Sequence, residues 1–276
     1  MRRVRFFIVA FVLAVAAVAA AQDWFRGYGR GYNRVPPRFP KADSYDGAFS
    51  FCRGMYTSGY REASGSGWNT DYPDADVNFS IRLSELTKVR VGKQRTGDPN
   101  HLVVPVADDW IFQCPYVHME DAGTAQFTDA EVAHLRLYLQ KGGFIWADDS
   151  WGSFALENWE EQIGRVLPPS GYPIQDILPG HPIYNMMFQI QEMPQIPAIS
   201  HWRRSGGGTS ERGPDSDHVY VRGISDDHGR LMVLMTHNTD ISDAWEREGE
   251  DPQYFYNFSP NGYAVGINIL LYSMTH

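Results

Sequence analysis

The clearest pattern in the chain is an amphipathic helix that spans residues 128–140. Val132, Leu135 and Leu139 recur at helical spacing, and Thr128 and Glu131 form a capping box ahead of them. The glycine pair that follows is typical of a left-handed helix end. Weaker patterns of the same kind predict further helices within residues 72–87, behind Asp74 or Asp76 as a cap, around residues 151–167 and at the C-terminus.

Short apolar runs lie between these helices. The run FIWAD at residues 144–148 has no polar alternation, which is typical of a parallel strand covered by helices on both faces. Strands that alternate with helices predict right-handed crossovers and hence an α/β fold, with a mostly parallel sheet flanked by helices. Further strands are predicted at residues 49–56, 101–106 and 114–120, with a hairpin over residues 218–238.

The N-terminus has the order of a secretory signal peptide. Three arginines precede an apolar run over residues 6–18, and three alanines end at Ala21. The run is shorter than the roughly 20 residues of a membrane span. We therefore expect a signal peptide at residues 1–21, a flexible Gly/Arg/Pro-rich arm at residues 22–46 and one α/β domain at residues 47–276.

Charge and cysteine content narrow the choice of partners and compartment. The net charge is −9, and loss of the three arginines in residues 1–21, which contain no acid, lowers it to −12. An acidic protein of this kind is not expected to bind nucleic acid. We expect a periplasmic or secreted protein without a transmembrane segment after signal cleavage, in which Cys52 and Cys114 form either a disulfide or two buried thiols.

Polar residues mark the end of the predicted strand at residues 144–148. Asp148, Asp149 and Ser150 lie where this strand gives way to a helix, and ligands of open α/β sheets gather at the carboxyl ends of strands. The carboxylate pair could bind a divalent cation or act as acid and base. Alternatively, it could cap the helix that follows.

The predicted strand at residues 114–120 and the second strand of the hairpin, which precedes His237, end in polar residues as well. If the three strands are parallel neighbours, their ends assemble into one polar rim. The candidate metal ligands are Asp148, Asp149, His118 and His237, although no local metal motif is present.

Trp245, in the acid-rich segment of residues 240–252, could stack on a sugar ring, or the segment could be a solvated loop. The ligand-binding candidates are therefore Asp148, Asp149, Ser150, His118, Glu120, His237, Asn238, Asp240 and Trp245.

Several segments together resemble one known family. They include GWNTDYPDADVNFSIRLSELT, FTDAEVAHLRLYLQKGGFIWADDSWG and the terminal GYAVGINILLYSMTH, and they are similar to the domain of unknown function 4159. The resemblance implies a class I glutamine amidotransferase-like fold, which is a flavodoxin-like three-layer sandwich. Amidotransferases of that class carry a nucleophilic cysteine after a central strand, whereas this chain has Asp148 and Asp149 there. No glutaminase activity is therefore expected.

Two functions fit these patterns. The first is a domain of the cell envelope that binds a ligand or partner protein through the strand-end rim. The second is a hydrolase, metal-assisted or carboxylate-dependent, that acts on an envelope or carbohydrate-like substrate. The chain lacks a nucleophile elbow, a Rossmann glycine motif and the kinase motifs, which removes the better-defined hydrolase, dehydrogenase and kinase classes.

The signal peptide makes a direct prediction about the mature protein. Intact-mass spectrometry of protein from the exported fraction should show an N-terminus at Gln22, because signal peptidase cuts after small residues such as Ala21. Recovery of chains that retain Met1 in the membrane fraction would contradict cleavage.

Overall fold

The computed structural model describes residues 35–62 and 65–276. The predicted signal peptide at residues 1–21 and most of the predicted arm, residues 22–34, lie outside the described residues. Residues 37–276 belong to one compact unit. Of the predicted arm, residues 37–46 are part of this unit, and the carbonyl oxygen of Arg38 accepts a hydrogen bond of 2.9 Å from the backbone N–H of Val103.

Seven strands form one mixed sheet in the order β2-β1-β3-β4-β7-β6-β5. Strands β1, β2, β3, β4 and β7 run parallel, while β6 and β5 are antiparallel to their neighbours. The strands are β1 (Phe51–Met55), β2 (His101–Pro105), β3 (Tyr116–Met119), β4 (Phe144–Ala147), β5 (Gln175–Asp176), β6 (Tyr220–Ser225) and β7 (Leu231–His237).

Helices cover the sheet and complete an α/β fold, as predicted. The parallel strands follow the flavodoxin-like order, in which the strand order reverses between β1 and β3. The helices are α1 (Asp74–Leu86), α2 (Asp129–Gln140), α3 (Gly152–Val166), α4 (Ile199–Ser205), α5 (Asp243–Glu246) and α6 (Pro252–Thr275). The predicted capping box of α2 is present between Thr128 and Glu131.

The central strands are buried along their whole length. On one face, aromatic rings of β1, β3 and β4 pack against α1, α5 and α6. Trp245 lies in this layer, with its ring 4.6 Å from Phe79 and 5.7 Å from Trp146 between centroids. The expected solvated loop is therefore wrong for residues 240–245, which are buried because the apolar ring of Trp245 anchors the segment in the core.

Cys52 and Cys114 form a disulfide, so of the two alternatives the buried thiols are excluded. The bond joins β1 to the segment that leads into β3, across 62 residues of sequence. It thus ties together two neighbouring strands that position the polar rim.

Within the part of the chain that the structure describes, no helix combines the length and the apolar character that a membrane crossing requires.

The disulfide should contribute to stability because it limits the freedom of the unfolded chain. We expect Cys52→Ala to lower the free energy of unfolding by about 2–4 kcal/mol, measured by urea denaturation of oxidised protein. Cys114→Ala should cost the same, and the double variant no more than either one. A double variant that loses twice as much would show that the thiols act independently.

Candidate functional site

The polar rim is assembled at the carboxyl ends of neighbouring parallel strands. β4 lies between β3 and β7, and in register Met119 pairs with Ala147 and Ala147 with Met235. The segments that directly follow these strands therefore emerge at the same edge of the sheet. This edge adjoins the point where the strand order reverses, which is where α/β sheets bind ligands.

Backbone strain is concentrated at this edge. Asp121, Asp149 and Asn238 each have a positive φ, of 49°, 51° and 60°, and Asp71 in the loop before α1 has a φ of 60°. These four are the non-glycine residues with positive φ in the described ranges. Asp and Asn tolerate this conformation better than other side chains, and strained residues cluster at functional sites.

Asp148 is a buried structural acceptor. Its Oδ2 accepts hydrogen bonds from the backbone N–H groups of Ile241 and Ser242, at 2.9 and 3.3 Å. Its Oδ1 accepts from the hydroxyl of Thr236. Burial, reinforced by Glu120, raises the pKa of Asp148 well above its usual range. The carboxyl group therefore joins the end of β4 to the segment after β7.

The hypothesis that the Asp148–Asp149 pair caps α3 is wrong. Helix α3 has no side-chain cap at its N-cap residue, Trp151, and its first amides are bound from elsewhere. The N–H of Gly152 donates to Oδ1 of Asn238 at 2.8 Å, and that of Ser153 donates to Oδ2 of Asp215 at 3.0 Å.

Asp149 and Ser150 have other partners. Oδ1 of Asp149 accepts from the indole N–H of Trp151 at 2.9 Å. The hydroxyl oxygen of Ser150 accepts from the backbone N–H of Gly123 at 2.8 Å. Asp149 thus lies at the rim with Oδ1 hydrogen-bonded to Trp151, whereas Ser150 holds the neighbouring turn.

A buried ion network lies beneath the rim. The guanidinium group of Arg53 contacts Asp76, with Nε 3.0 Å from Oδ1, and Glu120, with Nη1 3.3 Å from Oε2. Nε2 of His118 lies 2.7 Å from the same Oε2 of Glu120 and 3.0 Å from the hydroxyl of Ser242. All the side chains of this network are buried.

The network sets the charge of Glu120. Burial raises the pKa of Glu120, but His118 and Arg53 more than offset this and hold the pKa below its usual value. Burial lowers the pKa of Arg53, and Asp76 with Glu120 reverses that effect. Glu120 is therefore a buried carboxylate, and its second oxygen, Oε1, has no hydrogen-bond partner within the described part of the chain.

Three groups of side chains bring possible ligand atoms within 4.8 Å of one another. The members of the first, Glu120, Asp149 and Asp240, come from three different strand ends. Octahedral or larger oxygen shells of Ca²⁺ and Mg²⁺ place ligand atoms about 3–5 Å apart, so the spacing fits a cation. The other two groups are His118–Glu120–Asp148 and Asp71–Asp240–Asp243.

The carboxylates raise one another's pKa. Burial, followed by the charges of Asp121 and Glu120, raises the pKa of Asp149 well above its usual range. Burial and then Asp149 do the same for Asp240, and burial with Glu246 raises the pKa of Asp243 to about 7. The rim thus holds more potential negative charge than its buried cation, Arg53, neutralises.

A glycine-containing loop approaches the rim from the segment before α1. The N–H of Gly67 donates to Oδ2 of Asp121 at 2.7 Å, and a Cβ on Gly65 would meet that carboxyl group at 2.3 Å. Oδ1 of Asp121 and Oδ2 of Asp71 are buried and lack hydrogen-bond partners within the described residues. This loop therefore adds Asp71 to the carboxylates of the polar rim.

The predicted residues do not all converge. His237 is buried beside β6, where its ring stacks on Tyr220 at 6.3 Å, and burial lowers its pKa to about 4. It belongs to none of the three groups formed by the described residues. Asp148 and Asp149 also fall into different groups. Trp245 is fully buried, which leaves no ring face for a sugar.

Sequence reasoning missed Arg53, Asp71 and Asp76. Arg53 is flanked by apolar residues in a predicted strand, and a charged residue in such a strand was the available signal, because a buried charge requires a partner. Asp71 lies in a Gly-rich loop with no periodic pattern. Asp76 looks like an ordinary helix-start acid.

The role of Asp148 can be separated from ion binding. Asp148→Ala leaves two buried N–H groups without an acceptor, and we expect a loss of about 2–5 kcal/mol in the free energy of unfolding, measured by urea denaturation without added cation. Asp148→Asn keeps one carbonyl oxygen for these amides and should lose less than half as much. An alanine variant as stable as wild type would refute the structural role.

The chain was compared with known proteins. A search of curated proteins finds no match to this chain. The model of one protein family, described as a domain of unknown function (DUF4159), matches residues 57–274. The match covers most of the chain, including β2 to β7 and every acidic residue of the polar rim. The chain therefore belongs to the DUF4159 family.

Proposed function

We propose that this protein is an exported domain of the cell envelope that binds a divalent cation through Glu120, Asp149 and Asp240. One observation carries the proposal. Oε1 of Glu120 is buried and without a hydrogen-bond partner among the described residues, next to two further carboxylates from other strand ends. A buried acceptor left without a donor is costly, and a bound cation removes this cost.

The ligand atoms favour a hard cation. Three carboxylates offer oxygen atoms only, the donor set that Ca²⁺, Mg²⁺ and Mn²⁺ prefer. The group that includes His118 is less suitable, because Glu120 and Ser242 already occupy Nε2 of His118. In the same group, Asp148 uses both of its oxygens for protein hydrogen bonds. We therefore place the ion between Glu120, Asp149 and Asp240.

The closed surroundings favour binding over catalysis. Glu120 is fully buried, and Asp149 and Asp240 are only 4% and 3% exposed. A metal-dependent hydrolase needs an open coordination position that its substrate can reach. We propose that the ion instead holds the three strand-end segments in place and so shapes the surface to which an envelope ligand or partner binds.

We also propose that the fold is similar to that of class I glutamine amidotransferases, but without their activity. Asp148 and Asp149 occupy the turn after β4, and the disulfide contains both cysteines of the chain. A disulfide has no thiolate to act as nucleophile. We therefore propose that the protein has no glutaminase activity.

Two features support export to an oxidising compartment. The first 21 residues have the order of a signal peptide. The Cys52–Cys114 disulfide is typical of periplasmic and secreted proteins, because the cytosol keeps thiols reduced.

Thermal denaturation of metal-free protein tests the cation site. Addition of Ca²⁺, Mg²⁺ or Mn²⁺ at a hundred times its Kd should stabilise wild type by about 2.7 kcal/mol and raise the Tm by several degrees. Glu120→Gln and Asp149→Asn should remove this response, because each loses the negative charge but keeps its shape. Glu120 also contacts Arg53, so Glu120→Gln could fail to fold. In that case Asp149→Asn alone tests the loss of the cation response.

Glu131→Gln is the matched control. Glu131 is also a buried carboxylate, but it serves the capping box of α2 and binds Thr57. This variant should lose stability and still respond to the cation. If no divalent cation changes the Tm of wild type, or if Asp149→Asn responds as wild type does, the proposed site is wrong. Cation-dependent hydrolysis of p-nitrophenyl phosphate or acetate would favour the hydrolase alternative.

A further inference from the structure

A second polar region lies at the opposite end of the sheet. Residues 92–100 lead into β2, and residues 43–46 precede β1, so this region lies beyond the amino ends of these strands. The two segments line a groove of about 490 Å³, a volume suited to a small ligand. Its lining consists of Arg38, Phe39, Lys41, Asp43, Ser44, Asp46, Gly92, Lys93, Gln94, Arg95, Thr96 and Asn100.

The groove concentrates positive charge in an acidic protein. The chain has 24 basic and 33 acidic side chains, yet this lining contains four basic and two acidic residues. In the sequence, residues 88–95 read KVRVGKQR and contain no acid. The local charge is therefore opposite in sign to that of the whole chain.

The basic side chains of the groove form no ion pairs with carboxylates of the described residues. In the rest of the domain most arginines form ion pairs. Lys41, Lys93 and Arg95 form none with the described residues. Of the two acids, Asp46 uses Oδ1 to accept from the backbone N–H of Ala48 at 2.9 Å, and Asp43 is exposed at the edge.

Arg38 is held in position by neutral groups. Its guanidinium group donates to Oε1 of Gln94 and, at 3.1 Å, to Oδ1 of Asn100. Asn100 is itself buried and donates to Ser50 and to the carbonyl oxygen of Ser44. The amide partners orient the guanidinium group without cancelling its charge, as a preorganised anion site requires.

We propose that this groove binds a small, multiply charged oxyanion of the kind found in di- and triphosphate groups. Four cations around one groove suit a ligand with more than one negative charge, and arginine with lysine is the usual donor set for phosphate oxygens. The groove is separate from the strand-end carboxylates, so this inference does not depend on the cation site.

Isothermal titration calorimetry with sodium tripolyphosphate and orthophosphate tests the proposal. EDTA is present throughout, so that the phosphates do not act by removing a metal ion. Tripolyphosphate should bind more tightly than orthophosphate, and its affinity should fall as the salt concentration rises. Lys93→Glu should weaken binding by about tenfold or more, the effect of losing one charge-assisted hydrogen bond.

Arg204→Glu is the matched control, because it makes the same change of charge at an exposed position on α4. Its affinity should stay within about twofold of wild type, since Arg204 does not line the groove and salt screens exposed charges. Absence of tripolyphosphate and vesicle binding, or equal weakening in both variants, would overturn the proposal. Sedimentation with phosphatidylcholine vesicles, with and without phosphatidic acid, whose phosphate monoester can carry two negative charges, identifies the source of the phosphate. Vesicle binding that Lys93→Glu removes assigns the groove to a lipid headgroup, and binding of tripolyphosphate alone assigns it to a soluble ligand.

Discussion

The buried guanidinium group of Arg53 makes the acidic end of this sheet possible. It is fully enclosed, and its partners Asp76 and Glu120 come from helix α1 and the end of β3. It also donates to the carbonyl oxygens of Trp68 and Thr70 in the loop before α1. Loss of one member of a buried ion pair leaves a charge in the interior at a cost of several kcal/mol. The packing of this loop and the position of Glu120 therefore depend on Arg53.

Around this ion network, the protein places more acid than one arginine balances. Most of these acids follow the carboxyl ends of β3, β4 and β7, and three of the four strained residues, Asp121, Asp149 and Asn238, lie in the same segments. Both oxygens of the buried Asp148 accept hydrogen bonds, from two backbone amides and a hydroxyl group. Glu120, Asp121 and Asp71 keep one unpartnered oxygen each within the described residues. The cation that we propose for this site would give these unpartnered oxygens a partner.

The two ends of the sheet differ in electrostatic character. The carboxyl ends hold buried carboxylates, whereas the amino ends of β1 and β2 border a groove with basic side chains. The disulfide from β1 to the segment before β3 connects strands that contribute to both ends. One scaffold thus offers a closed site suited to a cation and an open site suited to an anion, with no thiol nucleophile at either end.

The chain's local pattern was sufficient to predict the α/β class, the capping box of α2 and the strands that end in polar residues. These features depend on periodicity and turn chemistry within a few residues, so the sequence by itself determined them. Only the tertiary structure decided which polar residues meet. Arg53, Asp71 and Asp76 join the site across long stretches of chain, Trp245 enters the core from an acid-rich segment, and His237 turns towards β6. The reason is physical: burial and charge pairing depend on neighbours brought together by the sheet order, whereas a local pattern contains information only about neighbours along the chain.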